Sequence, residues 1–591
     1  MWNGIGGEEW DPCVEPHDEA HIDFGAHNLR PIDEKFHKLD GTWEAKRGPV
    51  YNDIGAGPKD MPPNYKHMKS VELFSLLFPT DLMEIIVMQT NLYIRQEHTG
   101  EPIRKLPQLV TVKELYVWMG LHIKMMRNWC FDQDAYWKDR GPFNARVYIS
   151  YRRFYFIKRH LHFRDTTREP AKGTPGYDPL YKVRTVVDIL CATFQKYWKM
   201  GRYGSLDEMM VLFGGKNPLH RFVRGKPHPN GFKLHAICDA LSYFCCSFLV
   251  DDNEKRTISD IARKLFPGVV HPGMTIVTDR FYTCKGLVQF CLHHGVGLIG
   301  TTTGNRFMAK GELPGWSGAE AKRRARGEFE CAVNEDKTVC CICWKDKGVV
   351  RLTCTTSNTC STLLTRSRRG KGRFQVYAPT AASIANKYFH GVDRNDQLRG
   401  RGYGLCLTFK AQKYTVKLFF GLLDIVLSNT WILWRTIHKK DRKSHAAWVN
   451  RLAEELLAFN PFNDPAYADS IPVTPLSDTA SGKHRVRRLA RMCSASSSET
   501  SSSTGGRPDR RVAECPLCRS VHRKRKRVCT GCAECGVALC AKPVGSTGMS
   551  CHTKWHAMTR ADRDRCKRRK RKLVWDVEDA DTDAADDEAS L

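Results

Sequence analysis

The chain has 591 residues, 41% hydrophobic residues and 14 Trp, which excludes general disorder and allows several domains around a sizeable core. Its formal net charge of +29 points to a polyanionic partner such as nucleic acid. No uninterrupted apolar stretch is expected to cross a bilayer, and the opening MWNGIGGEEWDPC lacks a basic segment followed by an apolar core, so it does not read as a signal peptide.

Residues 1–60 carry 13 acidic and 6 basic side chains without steady periodicity, so residues 1–65 read as an acidic, disordered arm. Residues 66–203 read as mainly helical. VELFSLLFPTDLMEIIVMQTNLYI and VTVKELYVWMGLHIKMM repeat apolar residues every three or four positions, with Thr111 or Thr80-Asp81 as caps. From Gly204 the period shifts. MMVLF, GFKLHAICDA and YFCCSFLV read as strands, TISDIARKLF as a helix, MTIVTD as a strand, KGLVQFCLHH as a helix and GVGLIGTT as a strand. This β-β-β-α-β-α-β order over residues 204–303 is mixed α/β and compatible with a ribonuclease-H-like core. Residues 304–377 (EFECAV, VCCICW, VVRLTCTT, GRFQVYA) read as a β-rich insertion. Residues 378–475 resume the core and turn helical through KYTVKLFFGLLDIVLSNTWILW and AAWVNRLAEELLAF. Residues 476–510 form a Ser/Gly-rich linker, 511–558 a cysteine-rich module, and 559–591 a tail that is first basic, then acidic.

Three acidic positions are singled out: Asp207 in SLDEMM, at the opening of MMVLF; Asp279 in IVTDRFYT, where an apolar run breaks into a turn; and Asp393 in NKYFHGVDRNDQL. Carboxylates converging from separate segments make a hard-oxygen site for Mg²⁺ or Mn²⁺. Two such ions about 3.5–4 Å apart suit phosphodiester cleavage. Glu208 is expected on the opposite face of the strand from Asp207. Lys233 and Arg280 are candidates for phosphate contact, or equally for pairing with a carboxylate.

The 24 cysteines are expected in a reducing compartment. Cys515, Cys518, Cys532, Cys535, Cys540, Cys551 and His556 supply seven ligands, nearly two tetrahedral Zn²⁺ sites. The eighth is open among His484, His522, Cys529 and His552. A methyl-lysine reader or a RING-type ligase module also interleaves two zinc sites. Cys340, Cys341, Cys343, Cys354 and Cys360 read as buried thiols rather than a metal site, with Cys341 and Cys343 sharing a strand face. Residues 483–572 hold 25 basic and 6 acidic residues, a net +19, including RKRKR at Arg523, Lys524, Arg525, Lys526 and Arg527 and KRRKRK from Lys567. These runs predict DNA contact and a nuclear location.

Taken together, YDPLYKVR, SLDEMMVLFGGKNPLHRFVRGKPHPNGFKL, VTDRFYT, TGNR, ANKYFHGVDRNDQL and KLFFGLLDIVLSNTWILW resemble the piggyBac transposase family over about residues 71–435. The resemblance implies a ribonuclease-H-like catalytic core with a β-rich insertion, a helical dimerisation and DNA-binding region, and a C-terminal cross-brace zinc finger. It implies cut-and-paste transposition at TTAA targets by a homodimer, or a domesticated DNA-binding descendant that no longer cuts. Asp207, Asp279 and Asp393 match the family's catalytic aspartates holding two Mg²⁺, and Asp396 matches a fourth acidic position. Two departures stand out. Tyr414, in KYTV, stands where the family often has a Trp pair that could stack on a base, and the zinc module is stretched between Cys540 and Cys551. The C-terminal module is expected to read the element's terminal repeats, and the core to contact the cleavage site.

Overall fold

The computed structural model describes residues 35–45, 55–101, 107–138, 141–303, 306–307, 313–368, 372–400, 404–439, 441 and 443–459, together with short backbone strands between 486 and 538. The chain forms two compact units, residues 1–468 and 469–591.

The first unit begins with β1 (Phe36–Lys38) and β2 (Gly57–Pro58), then the helices α1 (Ser70–Leu77), α2 (Thr80–Glu97), α3 (Val112–Arg127), α4 (Tyr151–His160) and α5 (Arg184–Tyr197). Thr111 caps α3: its hydroxyl accepts from the Glu114 N–H at 3.2 Å, and the Glu114 carboxylate accepts from the Thr111 N–H at 2.9 Å. Thr80 is the first residue of α2, and Pro79 stands at the capping position instead.

His122 on α3 is fully enclosed. The rings of Trp118, Phe409, Phe154 and Phe420 lie 4.0, 4.7, 4.8 and 5.1 Å from it, and its Nδ1 donates to the Trp118 carbonyl at 2.9 Å. Burial pushes its pKa from 6.5 down to about 3. Below pH 6.5 the unfolded chain binds a proton that the folded chain excludes. Stability is therefore fully present above that pH and lost as the pH falls toward 3. Between pH 7 and pH 5 this one group accounts for about 2 kcal/mol. Urea unfolding of His122→Phe should lose correspondingly less over that interval. An unchanged pH dependence would remove His122 as the cause.

The sheet follows. After β3 (Trp198–Lys199) come β4 (Tyr203–Leu212), the short β5 (His220–Phe222), β6 (Asn230–Asp239), β7 (Cys245–Val250), α6 (Ile258–Leu265), β8 (Thr275–Thr278), α7 (Lys285–His293) and β9 (Gly297–Thr301). The expected element order holds, with β5 added. The strands run β7-β6-β4-β8-β9 across the sheet. β4, β8 and β9 are parallel, while β6 is antiparallel to both β4 and β7.

The β-rich segment does not stand apart from this sheet. α8 (Gly318–Arg323) precedes β10 (Phe329–Asn334), β11 (Cys340–Lys345) and β12 (Val349–Cys354), and β12 pairs antiparallel with β9, so the sheet continues outward. Its far edge is closed by β1, whose Phe36 pairs with Asn334. Trp43 is buried nearby, its backbone N–H donating to Thr359 Oγ1 at 2.8 Å and its indole N–H to the Lys337 carbonyl at 2.9 Å. Residues 35–45 thus depart from the disordered arm expected of residues 1–65: pairing an otherwise open strand edge and burying an indole outweigh a polar local composition.

Alternation along the strands separates two faces. Val277, Ile299, Cys340, Ile342 and Cys354 face the hairpin β13 (Ser361–Arg368)–β14 (Gly372–Pro379) and α9 (Thr380–Tyr388), while Ile276, Leu298, Cys341 and Cys343 face the larger core. Cys341 and Cys343 share a face as expected. Cys340, Cys341, Cys343 and Cys354 are buried thiols, whereas the Cys360 thiol is exposed.

The first unit closes with α10 (Gly391–Gly400), α11 (Leu405–Thr408), α12 (Tyr414–Ile437) and α13 (His445–Ala458). By length and composition α12 is apolar enough to cross a membrane, but Lys417, Asp424 and Asn429 interrupt its apolar run, and its apolar window is wholly buried against α1, α10, α13 and β4. It is the core helix of this unit. Close packing is built in: a Cβ on Gly421 would collide with the Val211 side chain of β4.

In the second unit, backbone strands β15 (Val486–Arg488), β18 (Thr530–Cys532) and β19 (Val537–Ala538) form one sheet, and β16 (Ala513–Glu514) pairs with β17 (Arg527–Val528). The side chains of the proposed zinc ligands Cys515, Cys518, Cys532, Cys535, Cys540, Cys551 and His556, and of Arg523 to Arg527, lie outside the described residues, as do the candidate eighth ligands.

Candidate active site

Asp207 is the fifth residue of β4, in mid-strand rather than at its opening as the sequence suggested, and it is buried. The parallel ladder with β8 ends at Leu206 opposite Thr278, so Asp279 follows one step beyond on the neighbouring strand. The chain turns there. The Asp279 carboxylate accepts from the N–H groups of Phe281 and Tyr282 at 2.8 and 3.1 Å. Thr283 donates to the Asp279 carbonyl at 2.6 Å and shares a 2.8 Å hydrogen bond with Thr278. Gly300 on β9 leaves room for these two hydroxyls, which a Cβ would strike. Arg306, from the TGNR motif, clamps the turn by donating to the carbonyls of Arg280 and, at 2.7 Å, Thr283.

Asp393 is delivered by α10, in its first turn. Helix and strand meet closely. A Cβ on Gly391 would lie 2.8 Å from Ser205 Cβ, and the Ser205 hydroxyl donates to the Phe389 carbonyl at 2.7 Å. Buried Asn395 fixes the helix from its other side, donating to the Tyr243 carbonyl at 2.8 Å and to Asn429 at 3.3 Å.

Asp207 and Asp393 meet on one cation. The Lys226 ammonium lies 3.2 Å from Asp393 Oδ1, 3.7 Å from Asp207 Oδ2 and 3.8 Å from Glu208 Oε1, and donates to the Glu208 carbonyl at 2.9 Å. Glu208 was expected to face away. Because Lys226 bonds the strand's own backbone, it sits where side chains from both faces of β4 can reach it. Burial pushes the Asp207 carboxyl up to about 8; Lys226 and the Glu208 N–H oppose this, and the charges of Glu208 and Asp393 reinforce it. The buried phenol of Tyr282 is also driven well up, by burial and then by Glu208, Asp207 and Asp279, and shares a 2.7 Å hydrogen bond with His235. Among the described residues no three His, Cys, Asp or Glu side chains are grouped closely enough to hold an ion.

The fourth acidic residue, Asp396, stands apart from the lysine and is ion-paired with Arg399 one helical turn on. Arg399 is buried and donates to the Met210 carbonyl of β4 at 2.6 Å. A cavity of ≈ 220 Å³ opens beside the site, lined among others by Lys226, His228, Asp393, Asp396, Arg399 and Asp424. The candidate DNA contacts are scattered. Lys233 stacks over the half-exposed Phe281 ring at 4.2 Å, and Arg280 is exposed beside Asp279. Tyr414 is half-buried, 6.2 Å from the Phe232 ring, and is not presented as an open stacking platform.

Lys226, Arg306 and Arg399 are the residues that sequence reasoning passed over. Arg399 had a local signal, three positions after an Asp on a helix. Lys226 and Arg306 act across the fold and had none beyond lying in the motifs FVRGKPHPNGFKL and TGNR.

The family described as Transposase IS4 matches residues 69–431, more than half of the chain. PiggyBac transposable element-derived protein 3 of Homo sapiens is 24% identical over 428 residues, covering 66% of this chain and 65% of its own length. The chain thus spans just under two thirds of that relative. PiggyBac transposable element-derived protein 2 of Homo sapiens is 24% identical over 458 residues, 72% of this chain and 70% of its own. A piggyBac transposase solved by cryo-EM as a synaptic complex with hairpin DNA has the same fold at a TM-score of 0.55 and 19% identity, covering 71% of this chain and 87% of that one. The chain belongs to the piggyBac family of transposases.

Proposed function

We propose that this protein is a DNA transposase that acts as a homodimer, cutting and rejoining phosphodiester bonds at the ends of an element and at TTAA targets. The observation that carries the reading is the meeting of Asp207 and Asp393 on one cation at the end of the parallel pair β4–β8, where Asp279 follows. The strand order β7-β6-β4-β8-β9, with two helices linking the parallel strands, supports a ribonuclease-H-like core. The net charge of +29 supports a nucleic-acid substrate.

The donor chemistry supports divalent ions, although among the described residues the side chains are not grouped around one ion position in this structure. The donors are hard oxygens, and two of them already share a cation, the Lys226 ammonium. Asp207, Asp279 and Asp393 would hold two Mg²⁺ or Mn²⁺, which supply an activated water and charge stabilisation at the scissile phosphate. The chain's own contribution is placement. β4 and β8 fix two carboxylates in register, Arg306 and the Thr278–Thr283 pair hold the Asp279 turn, and Arg399 with Asp396 holds α10 so that Asp393 faces Asp207. Arg280, exposed beside Asp279, and Lys233, over the Phe281 ring, would contact backbone phosphates.

A second reading, a domesticated DNA-binding protein without cleavage, is favoured by the lysine seated on the carboxylates. Incubating the protein and Mn²⁺ with DNA carrying the inverted repeats that flank its gene separates the two. Strand cuts at the repeat ends support the transposase, and intact DNA in a bound complex supports the second reading.

We also propose that residues 484–556 bind two Zn²⁺ through the seven Cys and His ligands and one of the four candidates. Cys density in so short a segment supports this, because metal would supply folding free energy that a small core cannot. Elemental analysis of the full chain should find about two zinc per protein. Zinc near zero in a protein that binds DNA normally would overturn the assignment.

A further inference from the structure

Lys226 stands on the turn between β5 and β6, directly after Gly225, whose φ of +95° sets the turn. Its side chain is only 14% exposed. The ammonium has three N–H groups and four oxygens within 3.8 Å: the Glu208 carbonyl and one oxygen each from Asp207, Asp393 and Glu208. Three carboxylates face one positive charge. The lysine thus occupies the place where the proposed chemistry calls for a different cation. An ammonium and a divalent ion are alternatives there, since both need the same oxygens and repel each other at this range.

Resting on the transposase reading above, we infer that Lys226 is an internal counter-ion that occupies the Asp207–Asp393 cation position in the DNA-free protein and yields it to a divalent ion when a DNA phosphate draws the ammonium away. The lysine keeps the carboxylates assembled while no metal is bound. It also lowers the apparent metal affinity, because only the fraction of molecules with the ammonium displaced can take an ion. A phosphate oxygen is the natural second partner for a compact, strongly hydrated charge on a flexible stem. Metal loading and DNA binding are then coupled, and the coupling is reciprocal: DNA tightens the metal as much as the metal tightens DNA. Such an arrangement withholds the cutting ions until a substrate is present.

Binding of Mn²⁺ to the full-length protein, followed by electron paramagnetic resonance with and without a duplex, tests this without recourse to activity. The DNA-free wild type should bind Mn²⁺ weakly, and the duplex should tighten it about tenfold or more. K226M should bind about tenfold tighter than wild type without DNA, and the duplex should then add little. K226R keeps the charge and should stay as weak as wild type. Equal Mn²⁺ affinity in wild type and K226M overturns the inference, as does tightening by K226R to the level of K226M. If K226M does not fold, the inference rests on K226R and on the wild-type response to DNA, and no tightening by the duplex overturns it. Failure of the underlying metal site looks different: the double variant D207N/D393N would then bind Mn²⁺ as wild type does.

Discussion

Replacing Asp207 with Asn should abolish strand cleavage while leaving DNA binding intact. The side chain sits in mid-strand on β4, buried, with one oxygen accepting from the Glu208 N–H at 2.8 Å. Asn has the same shape and its amide oxygen can keep that hydrogen bond, so the strand has no reason to move. What is lost is the negative charge, which an amide cannot supply to a divalent ion. A loss of about a thousandfold or more in cutting rate is expected, about 4 kcal/mol of transition-state stabilisation. Folding stability should hold or rise, because burial already penalises the ionised form of Asp207, and that penalty disappears with the charge. Lys226 retains Asp393 and Glu208. The measurement pairs a gel assay of Mn²⁺-dependent cutting with fluorescence anisotropy of DNA binding and a thermal melt. Cutting within tenfold of wild type, with the melt unchanged, would remove Asp207 from the catalytic set.

The core was readable because its signals are local. Short apolar runs bounded by Gly, Pro and Asn gave β4, β6, β7, β8 and β9 in order. An Asp at the end of an apolar run is visible as a turn, and Asp279 is one. Asp207 was placed at a strand start because MMVLF is the apolar part, but β4 extends back to Tyr203 through Gly, Ser and Leu that are buried by the parallel neighbour β8. Strand pairing at long range was less legible. Nothing in EFECAV or VVRLTCTT says that β12 adds to β9, or that Phe36, nearly three hundred residues earlier, closes the same sheet. Those choices depend on which edges remain open once the rest has folded.

The site divides along the same line. The acidic residues carry their chemistry in their side chains and could be picked out. The basic residues that organise them could not, because a lysine in a strongly basic chain is no signal by itself. Lys226 is distinguished only by what the fold places around it. Helix α12 shows the converse case. Its apolar stretch is broken by Asp424, Ser428 and Asn429, and its meaning as a core helix comes from the elements that cover it. Asp424 is consumed by structure, accepting from the N–H groups of Leu405 and Cys406 at 2.7 and 2.9 Å to hold α11.

Removing the Arg399 side chain should have the largest effect on stability. Arg399 is 7% exposed, ion-paired with Asp396, bonded to the Met210 carbonyl of β4, and close enough to Asp424 for that charge to help hold its own. It therefore joins α10 to β4 beneath the carboxylate site and offsets charge facing α12. Arg399→Leu fills similar space but leaves a strand carbonyl without its donor, Asp396 without its counter-charge and Asp424 with Lys417 as its remaining cation. Breaking a buried pair from one side costs about 3–5 kcal/mol, and equilibrium urea unfolding should show a loss of that order. Arg399→Lys should recover little, since a single ammonium cannot span both Asp396 and the Met210 carbonyl as a planar guanidinium does. Arg399→Leu combined with Asp396→Leu should recover a measurable part, because the stranded carboxylate goes with its partner. Cutting should fall in Arg399→Leu even where the protein remains folded, since Asp393 lies two turns back on the same helix and loses its register against Asp207. A loss below about 1 kcal/mol, the scale of an exposed ion pair, would mean that α10 is held by Asn395 and Gly391 alone.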